Sequence, residues 1–274
     1  MGINITTLAE NTANFGYLGE WGLSIFLEVD GVNILFDTGL GVSAAYNARL
    51  LGVDLKSVEK IVLSHGHSDH TGGLRDILRE KGAVDIIAHP DIWEDKYYSF
   101  GEINHFIGIP FRREELESLG ARFNLTREPA WITDRVCTTG EIPMVTDYEE
   151  IDPGLAVRKD NHLIPDQLAD DLALAIKTEA GLIVILGCGH RGLINTLKHA
   201  RNLTGEKRIK VVIGGIHLFL ASEERLIRTS ADLREMGIER LGVSHCTGFK
   251  ASSWLAQEFG DIFFLNNAGT RLSF

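Results

Sequence analysis

The stretch Ile61-Val62-Leu63-Ser64-His65-Gly66-His67-Ser68-Asp69-His70 decides how the rest of the chain is interpreted. It brings three imidazoles and one carboxylate into six consecutive positions, directly after an apolar run. Burying such groups without a partner costs several kcal/mol, whereas a divalent metal prefers neutral imidazole nitrogens and carboxylate oxygens as donors. An exposed polar loop is the alternative. The pattern predicts a metal site between a buried strand and a helix, with His65, His67, Asp69 and His70 as ligands.

Motifs elsewhere in the chain extend this interpretation. Phe36-Asp37-Thr38-Gly39 precedes the histidines, and Thr139-Gly140-Glu141-Ile142-Pro143 follows them. The second half contains residues 187–192 (GCGHRG), 214–218 (GGIHL) and 244–248 (SHCTG). Together with H-x-H-x-D-H, this series resembles the metallo-β-lactamase superfamily, and within it the archaeal and bacterial branch of dihydropterin ribofuranosylaminobenzene phosphate synthase-like proteins. The resemblance implies an α/β fold, the four-layer αββα sandwich of that superfamily.

Length and composition limit the classes of function. The chain has 274 residues, of which 44% are hydrophobic and 24% are charged, as is typical of a globular protein with a full core. A net charge of −11 disfavours nucleic acid and anionic membranes as partners. The three cysteines show no disulfide framework, and neither a secretory signal pattern nor an apolar run of membrane-spanning length is present. We therefore predict a cytoplasmic protein.

Hydrophobic patterning predicts strands that alternate with helices in both halves of the chain. The first half is predicted to contain a β-hairpin at residues 23–28 and 32–36 around Asp30-Gly31, helices at 43–51 and 74–81, and strands at 58–63 and 84–88. The second half is predicted to contain strands at 172–177, 182–186, 209–213, 240–243 and 262–265, and helices at 193–201, 222–236 and 251–259. Such alternation is typical of sheets that are covered by helices.

Residues 90–140 interrupt this alternation. We predict that they form an inserted lid or subdomain within a single domain of residues 1–274. Two interpretations of the segment stay open: a small subdomain that buries its own aromatic side chains, or a lid over the metal site whose aromatic rings stack on a flat substrate. The aromatic residues concerned are Trp93, Tyr97, Tyr98, Phe100, Phe106 and Phe111.

Three later histidines, His190, His217 and His245, each follow a predicted strand. Hydrolysis by two metal ions needs ligands that converge from several strand ends, and the ions share a bridging hydroxide whose pKa is near 7. The predicted ligand sets are His65, His67 and His190 for one ion, and Asp69, His70 and His245 for the other.

The chain departs from the superfamily pattern at two places. Where the pattern has a histidine in a G-H-T-P-G-like turn, this chain has Ala169-Asp170-Asp171. Where the pattern has a bridging aspartate, this chain has Cys188, two residues before His190. We predict that His190 replaces the missing histidine and that Cys188 replaces the aspartate as a thiolate ligand. Ligation by Asp170 or Asp171 is the alternative, and Cys188 could instead be a small buried residue at a strand end.

We also predict roles for residues that lie near the metal ligands without binding the metal. The resemblance implies that Asp37 orients a ligand histidine through a hydrogen bond. We predict that His217 contacts the substrate and its developing charge, and a histidine that merely caps a strand is the alternative. Arg191 and Thr247 are also predicted to bind the substrate. The glycines of residues 187–192 match a dinucleotide-binding pattern, but the acidic residue that such a site needs is missing after the next strand. The N-terminus of the helix that follows is predicted to bind a substrate phosphate.

The sequence supports three hypotheses of function. The first is a metal-dependent hydrolase, for example a phosphodiesterase, in which a metal-bound hydroxide attacks a phosphoester or similar bond of a phosphorylated small molecule. Asp69 and His217 are its predicted catalytic residues. The second, implied by the resemblance, is a pterin transferase. The third is a non-catalytic metal-binding or redox-sensing module that uses Cys188, His190 and Cys246. The expected cofactors are two divalent metal ions, with zinc expected before manganese or iron.

Overall fold

The computed structural model describes residues 2–274, which form two compact units. The first unit consists of residues 2–127, 152–170 and 267–274, and the second unit consists of residues 128–151 and 171–266. The α-helices of the described residues are α1 (Ser43–Leu51), α2 (Ser68–Thr71), α3 (Leu74–Lys81), α4 (Arg113–Ser118), α5 (Leu193–Thr204), α6 (Glu223–Met236) and α7 (Phe249–Phe259). The β-strands are β1 (Asn4–Ala9), β2 (Ser24–Val29), β3 (Val32–Phe36), β4 (Lys60–Val62), β5 (Val84–Ala88), β6 (Lys96–Phe100), β7 (Ile103–Phe106), β8 (Ala121–Leu125), β9 (Val136–Thr138), β10 (Leu155–Lys159), β11 (His162–Pro165), β12 (Ala173–Thr178), β13 (Gly181–Leu186), β14 (Ile209–Gly215), β15 (Arg240–Ser244), β16 (Phe263–Leu265) and β17 (Arg271–Ser273).

The main sheet of the first unit has the strand order β17-β1-β2-β3-β4-β5-β8. Strands β17, β1, β2 and β3 pair antiparallel, and the predicted Asp30-Gly31 turn joins β2 to β3 with the positive φ values that a tight hairpin turn requires. Strands β3, β4, β5 and β8 are parallel. The carboxyl ends of these parallel strands therefore lie at one edge of the sheet, where Asp37, His65 and His89 follow β3, β4 and β5.

Helices α1 and α3 contribute their apolar faces to the core of the first unit. Ala44 and Ala48 of α1 are buried, and their i, i+4 spacing puts both on the same side of the helix. Leu74, Ile77 and Leu78 of α3 form the corresponding apolar stripe. Both helices pack into the same hydrophobic cluster as the strands of the main sheet, which holds the loops at the strand ends in place.

A second, four-stranded sheet of the first unit has the order β11-β10-β6-β7. Strands β6 and β7 come from residues 90–140, where Tyr97 is buried with its ring centroid 5.5 Å from that of Phe106, whereas Phe100 is exposed. The rest of that segment adds β8 to the main sheet and β9 to the sheet of the second unit. The segment thus contributes to three sheets, and its role as a lid or subdomain within one domain stays a prediction.

The sheet of the second unit has the order β16-β15-β14-β13-β12-β9. Strands β12 and β13 form an antiparallel hairpin, and β13, β14, β15 and β16 are parallel. Every residue of β13 is buried, as is typical of a parallel strand inside a sheet. The carboxyl ends of β13, β14 and β15 share one edge, and His190, His217 and His245 follow them in that order.

Most of the predicted elements are confirmed, with small shifts of their ends. The helices α1 and α3 and the strands β3 and β5 have the predicted bounds, whereas α5 continues to Thr204 and β14 continues to Gly215. Sequence patterning does not predict β1, β17, the strands β6 to β11 or the short helix α4. Among residues 2–274, no helix combines the length and the apolar character that crossing a lipid bilayer requires.

Candidate metal centre

The histidine motif of the first unit lies in the loop between β4 and α2. His67 is the residue before the first turn of α2, and this short helix contains Asp69 and His70. The ring centroid of His65 lies 4.4 Å from that of His67 and 4.3 Å from that of His70. All three imidazoles are buried, and Asp69 is half-buried. The first unit therefore gathers the three histidines of the motif into one buried cluster.

Asp37, a buried carboxylate, is the centre of a hydrogen-bond network beneath this motif. Its Oδ1 accepts from the backbone nitrogen of Ser64 at 2.7 Å, and its Oδ2 accepts from Ser64 Oγ at 2.7 Å and from His70 Nδ1 at 2.6 Å. Its φ of 58° directs the chain out of β3 in a conformation that residues other than glycine rarely adopt. Asp37 thus contacts the imidazole of His70, and its role toward a metal stays a prediction.

The network fixes the tautomers of two histidines. A carboxylate only accepts hydrogen bonds, so His70 donates from Nδ1 and Ser64 uses its single hydroxyl hydrogen on Asp37. Ser64 Oγ lies 2.8 Å from His65 Nδ1 and therefore accepts the proton of that nitrogen. Both imidazoles then carry their proton on Nδ1, which leaves Nε2 as the nitrogen that can bind a metal.

The donors of this motif fit a divalent metal. His65 Nε2 lies 2.9 Å from His67 Nδ1, and both rings are buried. Two nitrogen ligands of a tetrahedral zinc ion are about 3.3 Å apart, which is close to the separation of these two nitrogens. Imidazole nitrogen is a donor that suits zinc and iron better than it suits manganese.

The second unit carries its own cluster of possible metal ligands, at the carboxyl ends of β13, β14 and β15. The ligand atoms of Cys188, His190 and His217 lie within 4.8 Å of one another, and so do those of Cys188, His245 and Cys246. The ring centroids of His190 and His217 are 4.2 Å apart. His217 is half-buried and the other four residues are buried. Thiolate sulfur and imidazole nitrogen are the donors that zinc prefers.

The backbone of this second cluster is strained at two histidines. His217 and His245 have φ values of 41° and 54°, in the left-handed region that costs a non-glycine residue about 1 kcal/mol or more. Gly215, at the end of β14, has no room for a side chain, because a Cβ there would lie 2.7 Å from Cys246 Sγ. Strained residues of this kind cluster at functional sites, and this observation favours a function for His217 and His245.

Cys246 belongs to the second cluster, although the sequence does not lead us to include it among the predicted metal ligands. Its Sγ accepts a hydrogen bond from the backbone nitrogen of His217 at 3.3 Å. Burial raises the pKa of the Cys246 thiol, but hydrogen bonds with Cys188 and His217 outweigh burial and lower that pKa well below its ordinary value. By contrast, burial raises the pKa of the Cys137 thiol to about 11. The signal available in the sequence is the position of Cys246 directly after His245.

The N-terminus of α5 is occupied by a carboxylate of the second unit itself. The side chain of Glu149 accepts hydrogen bonds from the backbone nitrogens of Ile194 and Asn195, both at 2.8 Å. A Cβ at Gly192, the residue before α5, would lie 2.3 Å from Glu149 Oε2. The prediction that this helix N-terminus binds a substrate phosphate is therefore wrong, because its amides already bind a negative group of the chain.

Replacement of Glu149 by glutamine is expected to change how stability depends on pH. Burial raises the pKa of Glu149 above its ordinary value of 4.5, and the hydrogen bonds from Ile194 and Asn195 offset this only in part. The folded state therefore binds this proton more tightly than the unfolded state, so the wild type loses stability as the pH rises from 4.5 through the raised pKa. Urea unfolding between about pH 4 and about pH 8 measures the effect.

We expect the unfolding free energy of the wild type to fall relative to that of Glu149→Gln across this range. The exposed neighbour Glu150, replaced by glutamine, serves as the control. A difference between wild type and Glu149→Gln that does not vary with pH would contradict the prediction.

The two additional residues of the second unit that are predicted to bind the substrate are held by neighbouring groups. The backbone nitrogen of Arg191 donates to Asp171 Oδ2 at 2.9 Å, and its guanidinium Nε donates to the carbonyl oxygen of Ile142. Thr247 is buried, and its hydroxyl donates to the carbonyl oxygen of Ser244 at 2.7 Å. Substrate contacts from Arg191 and Thr247 stay predictions.

Comparison with known sequences identifies the family. Residues 22–154 match the model of the metallo-beta-lactamase superfamily. The chain is also 35% identical, over 292 aligned positions, to 7,8-dihydropterin-6-methyl-4-(beta-D-ribofuranosyl)-aminobenzene-5'-phosphate synthase from Methanocaldococcus jannaschii. That similarity covers 99% of this chain and 97% of the relative.

Solved structures agree with the sequence comparison. Tm1679, described as a metal-dependent hydrolase of the beta-lactamase superfamily, is 28% identical and has a TM-score of 0.86, with 98% of each chain covered. Zinc-bound PqqB from Methylobacterium extorquens shares the fold alone, with a TM-score of 0.60 at 12% identity over 98% of this chain and 99% of that one. The predicted α/β fold is therefore confirmed, and an enzyme that binds metal is supported. This chain belongs to the metallo-β-lactamase superfamily, in the branch that resembles dihydropterin ribofuranosylaminobenzene phosphate synthase.

Proposed function

We propose that this protein is a metal-dependent hydrolase that cleaves a phosphoester or similar bond in a phosphorylated small molecule. The observation that carries the proposal is the buried pair His65 and His67, in which the possible metal ligands His65 Nε2 and His67 Nδ1 lie 2.9 Å apart. Ser64 and Asp37 hold His65 in the tautomer that a metal needs. The similarity to Tm1679, a metal-dependent hydrolase by its description, supports the same class of reaction.

Two divalent ions are proposed as cofactors, with zinc expected before manganese or iron. When bound, such ions supply Lewis acidity toward a substrate oxygen and lower the pKa of water. The proposed ligands are His65, His67, Asp69, His70, Cys188, His190 and His245.

The protein's own groups are proposed to orient the substrate and to move its protons. Asp69 is half-buried in α2 and would hold the proton of the attacking water. His217, as a neutral imidazole, would donate a hydrogen bond to the negative charge that develops on the substrate. Asp37 would keep the imidazole of His70 in one orientation throughout. A cytoplasmic location and a phosphorylated small-molecule partner are part of this proposal.

A pterin transferase is the second candidate, and the 35% identity to the Methanocaldococcus jannaschii synthase over nearly the full length of both chains favours it. In that reaction the bond between the pterin's methylene carbon and a pyrophosphate oxygen would break. A bond from the same carbon to an aminobenzene would form, and pyrophosphate and a proton would leave. The same metal ligands would serve, because pyrophosphate oxygens are also ligands of divalent ions.

Removal of metal is expected to abolish turnover. Protein as purified should contain about two metal equivalents per chain, and dialysis against a chelator should remove both the metal and the activity on a panel of phosphomonoesters and phosphodiesters. Re-addition of zinc or manganese should restore activity. Turnover that survives complete removal of metal would contradict the proposal. Release of pyrophosphate that requires an aromatic amine would favour the transferase over the hydrolase.

Replacement of His190 by alanine is expected to lower the metal content toward about one equivalent and to remove most of the turnover. The control is His162→Ala, because His162 is exposed on β11 and lies outside both clusters. Elemental analysis of the two variants gives the comparison. Unchanged metal content in His190→Ala would remove His190 from the ligand set.

A further inference from the structure

The first unit contains a buried lysine, Lys96, at the start of β6. Its side chain is buried, and its Nζ lies 2.8 Å from Asp166 Oδ2 and 2.9 Å from Asp170 Oδ1. Burial by itself would lower the pKa of Lys96, but the charges of Asp170 and Asp166 outweigh burial and raise that pKa. The ammonium is therefore charged at neutral pH, and it holds two buried carboxylates in place.

Asp170 connects this lysine to the histidine motif. Its second oxygen, Oδ2, accepts a hydrogen bond from the backbone nitrogen of Gly66 at 2.8 Å. Gly66 is the residue between His65 and His67, so this bond holds the peptide that carries both imidazoles. One carboxylate thus joins the buried ammonium of Lys96 to the centre of the motif.

The backbone of Gly66 is packed so closely against Ile92 and Lys96 that it has no room for a side chain. A Cβ at Gly66 would lie 2.3 Å from the carbonyl oxygen of Ile92 and 3.1 Å from Lys96 Cε. Real Cβ atoms essentially never approach another heavy atom below 3.0 Å. The backbone of Gly66 is therefore packed against Ile92 on one side while Asp170 binds its amide.

Only a carboxylate satisfies the two contacts that Asp170 makes. Lys96 Nζ and Gly66 N are both donors, so each needs an acceptor oxygen. An asparagine has one acceptor oxygen and one NH₂ group, and its NH₂ would face one of the two donors. Asp166 offers the natural comparison: it binds the same ammonium, but its other oxygen accepts from the backbone nitrogen of Leu168 at 2.7 Å and not from the motif.

We propose that Asp170, oriented by Lys96, is a positioning residue that fixes the separation of the His65 and His67 donor nitrogens, and is not itself a metal ligand. Each of its oxygens is engaged by a donor at 2.8 or 2.9 Å, and it shares the ammonium of Lys96 with Asp166. The proposal rests on metal binding by His65 and His67. It does not depend on which reaction the protein catalyses.

The test compares Asp170→Asn with Asp166→Asn, which removes a charge from the same lysine without touching Gly66. Cobalt(II) serves as the probe, because its absorption spectrum reports both the binding constant and the set of ligands. For Asp170→Asn we expect cobalt binding that is about 10–100-fold weaker, with unchanged stoichiometry and band shape. For Asp166→Asn we expect a change of less than about threefold.

Hydrogen exchange of the metal-free protein gives a second readout, independent of any ion. Amide exchange in the peptide that contains residues 64–70 should become about tenfold faster in Asp170→Asn and should stay unchanged in Asp166→Asn. Thermal unfolding of both variants shows whether they are folded and equally destabilised.

Three results would overturn the proposal. A loss of one metal equivalent or a changed cobalt spectrum in Asp170→Asn would make Asp170 a ligand. Equal losses of affinity in both variants would mean that the substitutions act by destabilising the network around Lys96, and not through the contact between Asp170 and Gly66. Absence of cobalt binding by the wild type would contradict the premise that His65 and His67 bind a metal.

A wild type that binds cobalt but turns over no ester would contradict the proposed hydrolase. The positioning role of Asp170 would then still be decided by the binding constants of the two variants.

Discussion

Replacement of Lys96 by methionine is expected to lower the free energy of unfolding by about 3–5 kcal/mol. The ammonium lies within 2.9 Å of two buried carboxylates, those of Asp166 and Asp170. Methionine has a similar shape, so the loss arises mainly because two carboxylates stay buried without a cation. Urea unfolding, followed by tryptophan fluorescence, measures this difference.

An exposed ion pair of the same unit provides the matched control. Lys60 Nζ lies 2.5 Å from Asp85 Oδ2, but the two side chains are 35% and 32% exposed. Water screens such a pair, and Lys60→Met is expected to cost less than about 1 kcal/mol. Similar, small losses in the two variants would show that the buried network contributes little to stability.

Sequence patterning predicts those parts of the fold that depend on residues close together in the sequence. The spacing of Leu74, Ile77 and Leu78 defines α3 with the bounds that the structure has, and Asp30-Gly31 marks the hairpin between β2 and β3. The H-x-H-x-D-H motif is local as well, because one loop and the short helix that follows it hold all of its side chains. Parallel strands explain why His190, His217 and His245 reach one edge of the second unit, since each follows the end of a parallel strand.

The features that sequence patterning misses depend on distant partners. Strand β1 pairs with β17, so that Asn4 lies opposite Ser273 at the other end of the chain. Lys96 has the pattern of a surface lysine, because its partners Asp166 and Asp170 follow 70 and 74 positions later. Glu149 is likewise separated by 45 and 46 positions from the amides that it caps, which is why the free N-terminus predicted for α5 is wrong.

Replacement of Asp37 by asparagine is expected to weaken zinc binding by about 10–100-fold. Asp37 accepts from three donors, namely Ser64 N, Ser64 Oγ and His70 Nδ1. Asparagine has the same shape but only one acceptor oxygen. If its NH₂ group faces His70, Nδ1 must lose its proton and Nε2 must gain one, and Nε2 is the nitrogen that a metal needs. If the NH₂ group faces Ser64 N, two donors oppose each other in a buried position, which costs about 1–3 kcal/mol.

Thr38→Val separates this effect from a general loosening of the loop. Thr38 is buried and its hydroxyl donates to the carbonyl oxygen of His70 at 2.9 Å, so the substitution removes a bond to the same residue without touching its imidazole. Competition with a chromogenic chelator gives the zinc dissociation constant of each variant. We expect Asp37→Asn to bind zinc at least about tenfold more weakly than Thr38→Val. Equal affinities would mean that the backbone of His70 controls metal binding, and that the tautomer set by Asp37 does not.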